Sequence, residues 1–185
     1  MGHRVRTVNH AQAAIDKHQP QLTPTEWAYL AGIVDGEGTI TILKVSKRKG
    51  QTHILQPKID VTNTSERLLR WLGEKVDMRV NGRTKPLKSG EITFKRTPAV
   101  CYSIEIWGYR VYNVLMGIEP YLVIKREQAR LVRTFLDSRR ARSEATYNPP
   151  YTQEEIDLWL KVRALNRSAS RSYPIEASLT SPSTT

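Results

Sequence analysis

The chain has 185 residues, 39% of them hydrophobic, which suffices for one domain with a sizeable core. Lys and Arg outnumber Asp and Glu by 29 to 18, a formal charge of +11, the footprint of a phosphate-binding surface. That charge is spread along the chain instead of gathered on an amphipathic segment, which argues against a basic membrane-surface protein. No apolar run approaches the roughly 18 residues of a membrane span, and the first residues lack the apolar core of a secretory signal. The single Cys101 excludes an intrachain disulfide and a cysteine-based zinc cluster. Its setting in Ala-Val-Cys-Tyr-Ser-Ile reads as a buried strand thiol, so an intracellular, reducing compartment is expected. His3, His10, His18 and His53 show no metal-binding spacing, and there is no Gly-rich loop for nucleotide phosphates.

Residues 1–22 read as an arm with a short helix over Ala11 to Lys17, whose Arg4, Arg6 and Lys17 are either solvated or touch phosphate. Thr23-Pro24-Thr25-Glu26 is a capping box with Pro at the first helical position, and Leu22 and Trp27 complete a hydrophobic staple. The helix that follows contains Ala28, Gly32 and Gly36 every four residues. That face has almost no side chain, so a second backbone can approach it. Each glycine costs about 1 kcal/mol of helix propensity, so a packing reason for them is expected. Thr39 to Val45 and His53 to Thr62 alternate as strands around a basic turn over Ser46 to Gln51. Asn63 to Val76 reads as a helix capped by Asn63, with Leu68, Leu69, Leu72 and Val76 as its apolar stripe. A second hairpin pairs Met78 to Lys85 with Ala99 to Trp107. Helices at about 109–117, 125–140 and 153–166 complete the domain, the last opened by a capping box of Thr152 and Glu155. From Ser168 to Thr185 nine of eighteen residues are Ser or Thr, a composition that predicts a disordered tail. The domain proper is thus 23–167, and no internal repeat occurs.

The stretch Leu30-Ala-Gly-Ile-Val-Asp-Gly-Glu-Gly38 resembles the signature of the LAGLIDADG homing endonucleases, with Ile33, Val34 and Gly36 as mild variants and Glu37 in place of the usual last Asp. The order helix, hairpin, helix, hairpin, helices is similar to that family's αββαββα unit over roughly residues 23 to 167. The resemblance implies an α+β fold in which four antiparallel strands form a curved saddle on the DNA major groove, with additional C-terminal helices. It also implies that two motif helices pack together and each delivers one acid to divalent metal between the DNA strands. That role falls on Glu37, with the Gly36 backbone carbonyl as a further ligand, while Asp35 matches the more structural acid. Because a carboxylate at a helix C-terminus faces the negative end of the macrodipole, a bound cation would give Glu37 a reason to be there.

The resemblance further matches Asn63, Arg67 and Lys125 to the residues that support solvent around the metals. Lys125 rests on the similarity of Glu119-Pro-Tyr-Leu-Val-Ile-Lys-Arg-Glu-Gln-Ala129 to the family's Pro-aromatic-Leu and Lys-rich helix start. Asn63 departs from the Gln commonest there and also fits a helix N-cap. Arg67 also fits a solvated helix position, and Lys125 a general phosphate contact.

One sheet face must pack on helices, which makes Ile40, Ile42, Ile59, Val61, Tyr102, Ile104 and Ile106 core candidates. The other face then reads bases. It carries Thr39, Thr41, Leu43, Val45, Gln56, Lys58 and Asp60 on the first hairpin, and Arg79, Asn81, Arg83, Lys85, Ser103 and Glu105 on the second. Lys47, Arg48 and Lys49 at the hairpin tip suit phosphates. The expected function is a sequence-specific endonuclease that makes a staggered double-strand break in a long, near-palindromic DNA target. Mg²⁺ is the expected cofactor, with Mn²⁺ as a substitute and Ca²⁺ supporting binding without cleavage. One motif per chain implies a homodimer through Ala28, Gly32, Asp35 and Gly36. The alternative is a maturase acting on intron RNA, or a non-cleaving regulator, and the Glu for Asp exchange keeps it open.

Overall fold

A computed structural model describes residues 10–46, 53–78, 81–84, 100–143 and 149–169. The motif helix α2 (Pro24–Glu37) begins as its sequence dictates. Thr23 Oγ1 accepts the Glu26 N–H at 3.3 Å, Glu26 Oε2 accepts the Thr23 N–H at 2.8 Å, and Pro24 takes a first-turn position whose N–H has no helical partner. Leu30, Ala31 and Val34 bury one side of α2, and Trp27 and Leu22 pack half-buried at its entry.

Four strands form one antiparallel sheet in the order β1 (Gly38–Ser46), β2 (His53–Asn63), β4 (Val100–Trp107), β3 (Asn81–Thr84). The register sets Ile40 opposite Ile59 and Ile59 opposite Ile106, while Val61 faces Ile104. Directly opposed residues share a face, so these branched side chains and Ile42 form one apolar surface, and all are buried beneath the helices. Each contributes roughly 1.5–3 kcal/mol by leaving water. Tyr102 belongs to the same face but stays half-buried, because its hydroxyl bonds the Glu66 carboxylate.

Two expected boundaries move. β2 continues to Asn63, which pairs with Tyr102, and helix α3 starts only at Glu66 and runs to Lys75. Asn63 Oδ1 accepts the Ser65 N–H at 2.8 Å, turning the chain out of the strand, and Ser65, not Asn63, caps α3 by accepting the Leu68 N–H. A short side chain can satisfy a local N–H in a turn as readily as a helix end, and the ladder decides between them here. In the second hairpin the described strands are Asn81–Thr84 and Val100–Trp107, and Met78, expected in the first of them, lies outside it, after Asp77 reverses the chain at φ 52°.

Helices α4 (Arg110–Ile118), α5 (Arg126–Ser143) and α6 (Gln153–Ala169) complete the helical layer, with a 3-10 turn at Glu119–Tyr121. The Thr152 and Glu155 capping box forms, and Glu155 is fully buried, bonded to Ser138 and paired with Arg139 and Arg142 of α5. A glutamate chosen for a cap thus also joins two helices. The expected arm is partly a packed element: α1 (His10–Lys17) buries Ala11 and Ile15, and Asn113 Nδ2 donates to the carbonyls of Ile15 and His18 at 2.6 Å. Among the described residues no helix is long and apolar enough to cross a membrane. The expected tail beyond Ala169 lies outside the described residues, as do Lys47, Arg48, Lys49, Arg79 and Lys85.

Candidate active site

The C-terminal end of α2 meets the segment that precedes α5. Asp35 accepts three backbone N–H bonds there, from Val123 at 2.7 Å, Ile124 at 3.2 Å and Lys125 at 2.9 Å. Its carboxylate therefore sits at the positive end of α5 and ties that helix to α2. Although Asp35 was expected at a contact between copies, its acceptor sites are turned to its own chain. Lys125 returns the contact, its Nζ donating to the carbonyl of Val34 at 2.9 Å and to that of Asp35. These are carbonyls of the last turn, so the ammonium offsets the negative end of the α2 dipole. Burial lowers the Lys125 pKa below its ordinary value, against the opposing pull of Asp35 and Glu37.

Glu37, the last residue of α2, is exposed, as is Gly36. The next residue explains why the motif ends in glycine: a Cβ on Gly38 would stand 2.9 Å from both the Cα and the carbonyl oxygen of Val34. Backbone cannot give way there, so only glycine lets the helix turn directly into β1. Gly32 and Gly36 are the opposite case. Among the described residues a Cβ on either meets nothing within 4 Å, and both lie on an open strip of α2 with half-buried Ala28.

Arg67 approaches this end of α2 through helix order. Lys75 pairs with Glu26, and one turn earlier Trp71 meets Tyr29 edge-on with ring centres 5.2 Å apart. The two helices thus run in opposite directions, and Arg67, a further turn back, lies toward the C-terminal half of α2. It is exposed and lines a groove with Tyr29, Ser65, Leu68 and Trp71. Asn63 sits two residues beyond Val61, the partner of Gly38, so β2 delivers it near the same end. Among the described residues no group of three His, Cys, Asp or Glu could hold a metal. With Asp35 occupied, one chain brings Glu37 and the Gly36 carbonyl, hard oxygen donors of the kind Mg²⁺ takes but too few for a complete protein site.

The sheet face away from the helices carries Thr39, Thr41, Leu43 and Val45 on β1, Gln56, Lys58 and Asp60 on β2, and Glu105 on β4. Asn81 and Arg83 follow on β3 by register. Ser103, expected at this surface, is buried, because β4 is flanked by β2 and β3 and its short side chain lies between Thr62 and Asn81. Two further residues belong to the face. Thr62 and Trp107 continue the alternation of β2 and β4, a signal already present in the sequence.

Comparisons with protein families and with curated proteins found no match. Among solved structures the chain is similar to the meganuclease I-SmaMI bound to uncleavable DNA, with a TM-score of 0.51, 17% identity, and coverage of 83% of this chain and 49% of that one. It is similar to the LAGLIDADG homing endonuclease I-GzeII in complex with a DNA target, with a TM-score of 0.50, 11% identity, and coverage of 84% and 50%. For the homing endonuclease I-CvuI in complex with its target the TM-score is 0.47 at 18% identity, with 77% and 96% covered. The protein has the LAGLIDADG homing endonuclease fold, and it spans about half the length of the I-SmaMI and I-GzeII chains.

Proposed function

We propose that the protein is a sequence-specific homing endonuclease that acts as a homodimer on double-stranded DNA. The observation that carries this reading is the end of α2. Glu37 is exposed there beside the locked Asp35–Lys125 pair, next to a strip at Gly32 and Gly36 that the described residues leave uncovered. Glycines inside a helix weaken it by about 1 kcal/mol each, and close approach of a second α2 offsets that cost. The chain matches about half of the I-SmaMI chain, and a unit of that extent suits the role of one of two copies, each bringing one Glu37.

Two Glu37 carboxylates and two Gly36 carbonyls from the paired helices would hold Mg²⁺, with Mn²⁺ as a substitute. When bound, such ions supply an activated water and neutralise charge at phosphorus. Around them Lys125, fixed on the last-turn carbonyls, places a cation beside the carboxylates. Arg67 and Asn63 orient solvent from the α3 side. The sheet faces position one half-site each, so the target is a near palindrome and the two cuts are staggered.

The test is selection of a DNA target in the presence of Mg²⁺, read for binding and for cleavage, on wild type and Glu37→Gln. Wild type should bind and cut, whereas the Gln variant should bind with near wild-type affinity and lose several orders of magnitude of cleavage. Ca²⁺ should support binding with little cutting. Cleavage by the Gln variant at wild-type rate would refute the role of Glu37. Tight binding by wild type without cutting in Mg²⁺ or Mn²⁺ would make the protein a non-cleaving binder or an RNA maturase.

A further inference from the structure

The middle of the open sheet face presents acceptors where a basic DNA-binding face should present donors. Across β1, β2 and β4, one row sets Thr39, Asp60 and Glu105 opposite one another, and the next sets Thr41, Lys58 and Trp107. Two carboxylates directly opposed on neighbouring strands repel. Lys58 lies between them, its Nζ 2.7 Å from Glu105 Oε1, 3.6 Å from Asp60 Oδ1 and 4.8 Å from the centre of the Trp107 ring. The ammonium is thus held by an anion and covered by an aromatic face, both of which favour a cation.

Exposure decides which group of this cluster meets a ligand. The Lys58 side chain is 12% exposed, against 31% for Asp60 and 25% for Glu105. Acids on a face that approaches phosphates weaken general attraction, so their presence needs a use that sequence selection supplies. In the major groove a carboxylate accepts from the N4 amino group of cytosine, while guanine offers only acceptors there. We propose that Asp60 and Glu105 are specificity-determining residues that each accept from an exocyclic amino group, cytosine first, and that Lys58 is a positioning residue holding both carboxylates. This inference rests on the sheet being the DNA-binding face.

The experiment is target-site selection with the full chain, comparing wild type, Asp60→Asn, Glu105→Gln, Lys58→Met and Lys58→Arg, with melting temperatures as a check on folding. The selected wild-type half-site should contain two neighbouring positions that prefer cytosine by about ten-fold. Glu105→Gln and Asp60→Asn should each move one of these positions toward adenine, since an amide pairs with adenine N6 and N7. Lys58→Met should blur both cytosine positions together, and Lys58→Arg should restore them. Loss of a guanine preference at a single position in Lys58→Met, with cytosine preferences intact, would overturn this assignment alone. A wild-type chain that selects no DNA would overturn it together with the reading on which it rests.

Discussion

Asp35 and Glu37 are two residues apart and chemically alike, yet their surroundings assign them opposite work, and replacing each with Ala separates the two. In Asp35→Ala three N–H groups lose a charged acceptor. The exposed N–H groups of Val123 and Ile124 regain water, a net loss of about 0.5 kcal/mol each, whereas the half-buried Lys125 N–H forfeits a charge-assisted bond of about 1.5–3 kcal/mol. Removing a negative charge from the start of α5 adds about 0.3–1 kcal/mol. A loss of about 3–5 kcal/mol follows, and at about 2–4 °C per kcal/mol for a chain of this size the melting temperature should fall by about 6–20 °C. Asp35→Asn keeps one acceptor oxygen and should lose about half as much. Glu37 is exposed, so Glu37→Ala should change stability by no more than about 0.5 kcal/mol, under about 2 °C. The assay is thermal unfolding followed by circular dichroism without divalent metal, at matched protein concentration because association also moves the midpoint. An Asp35→Ala midpoint within 2 °C of wild type, or a Glu37→Ala midpoint as low as that of Asp35→Ala, would refute this division.

Gly32→Leu should leave the single chain folded, since the site is open in it, while light scattering shows a dimer for wild type and a monomer for the variant; a monomeric wild type contradicts the pairing. Glu26 titrates at about 2 instead of 4.5, held down first by the Lys75 hydrogen bond and then by the Thr23 N–H. With a depressed folded pKa, its stabilisation is full above about 4.5 and is lost as pH falls through about 2. The melting gap between wild type and Glu26→Gln should therefore be constant above that window and close within it. Glu155→Ala leaves Arg139 buried without its carboxylate and should cost about 3–5 kcal/mol in a denaturant titration; a loss below 1 kcal/mol would count against the network. Gly117→Ala should lose about 1–3 kcal/mol, because the new Cβ would stand 2.5 Å from the Trp27 ring, and a wild-type midpoint would show that the ring can move aside.

Much of this protein is written in local chemistry. The Thr23 box and Pro24 start α2, the alternation around Ile40, Ile59 and Ile104 separates the two sheet faces, and Thr152 with Glu155 starts α6. Period and capping need only neighbours in sequence, so they are legible without the fold. Asn63 marks the limit: its side chain suits a helix cap or a turn equally, and pairing with Tyr102, about forty residues further along the chain, chose the turn. The same holds for charge. Asp35 and Glu37 cannot be told apart by spacing, and Lys58 reads as a free cation until β4 sets Glu105 and Trp107 beside it. Which acid is spent on the backbone, and which cation is already paired, depends on partners brought from about fifty to ninety residues away along strands and helices that the core, not the local sequence, holds in register.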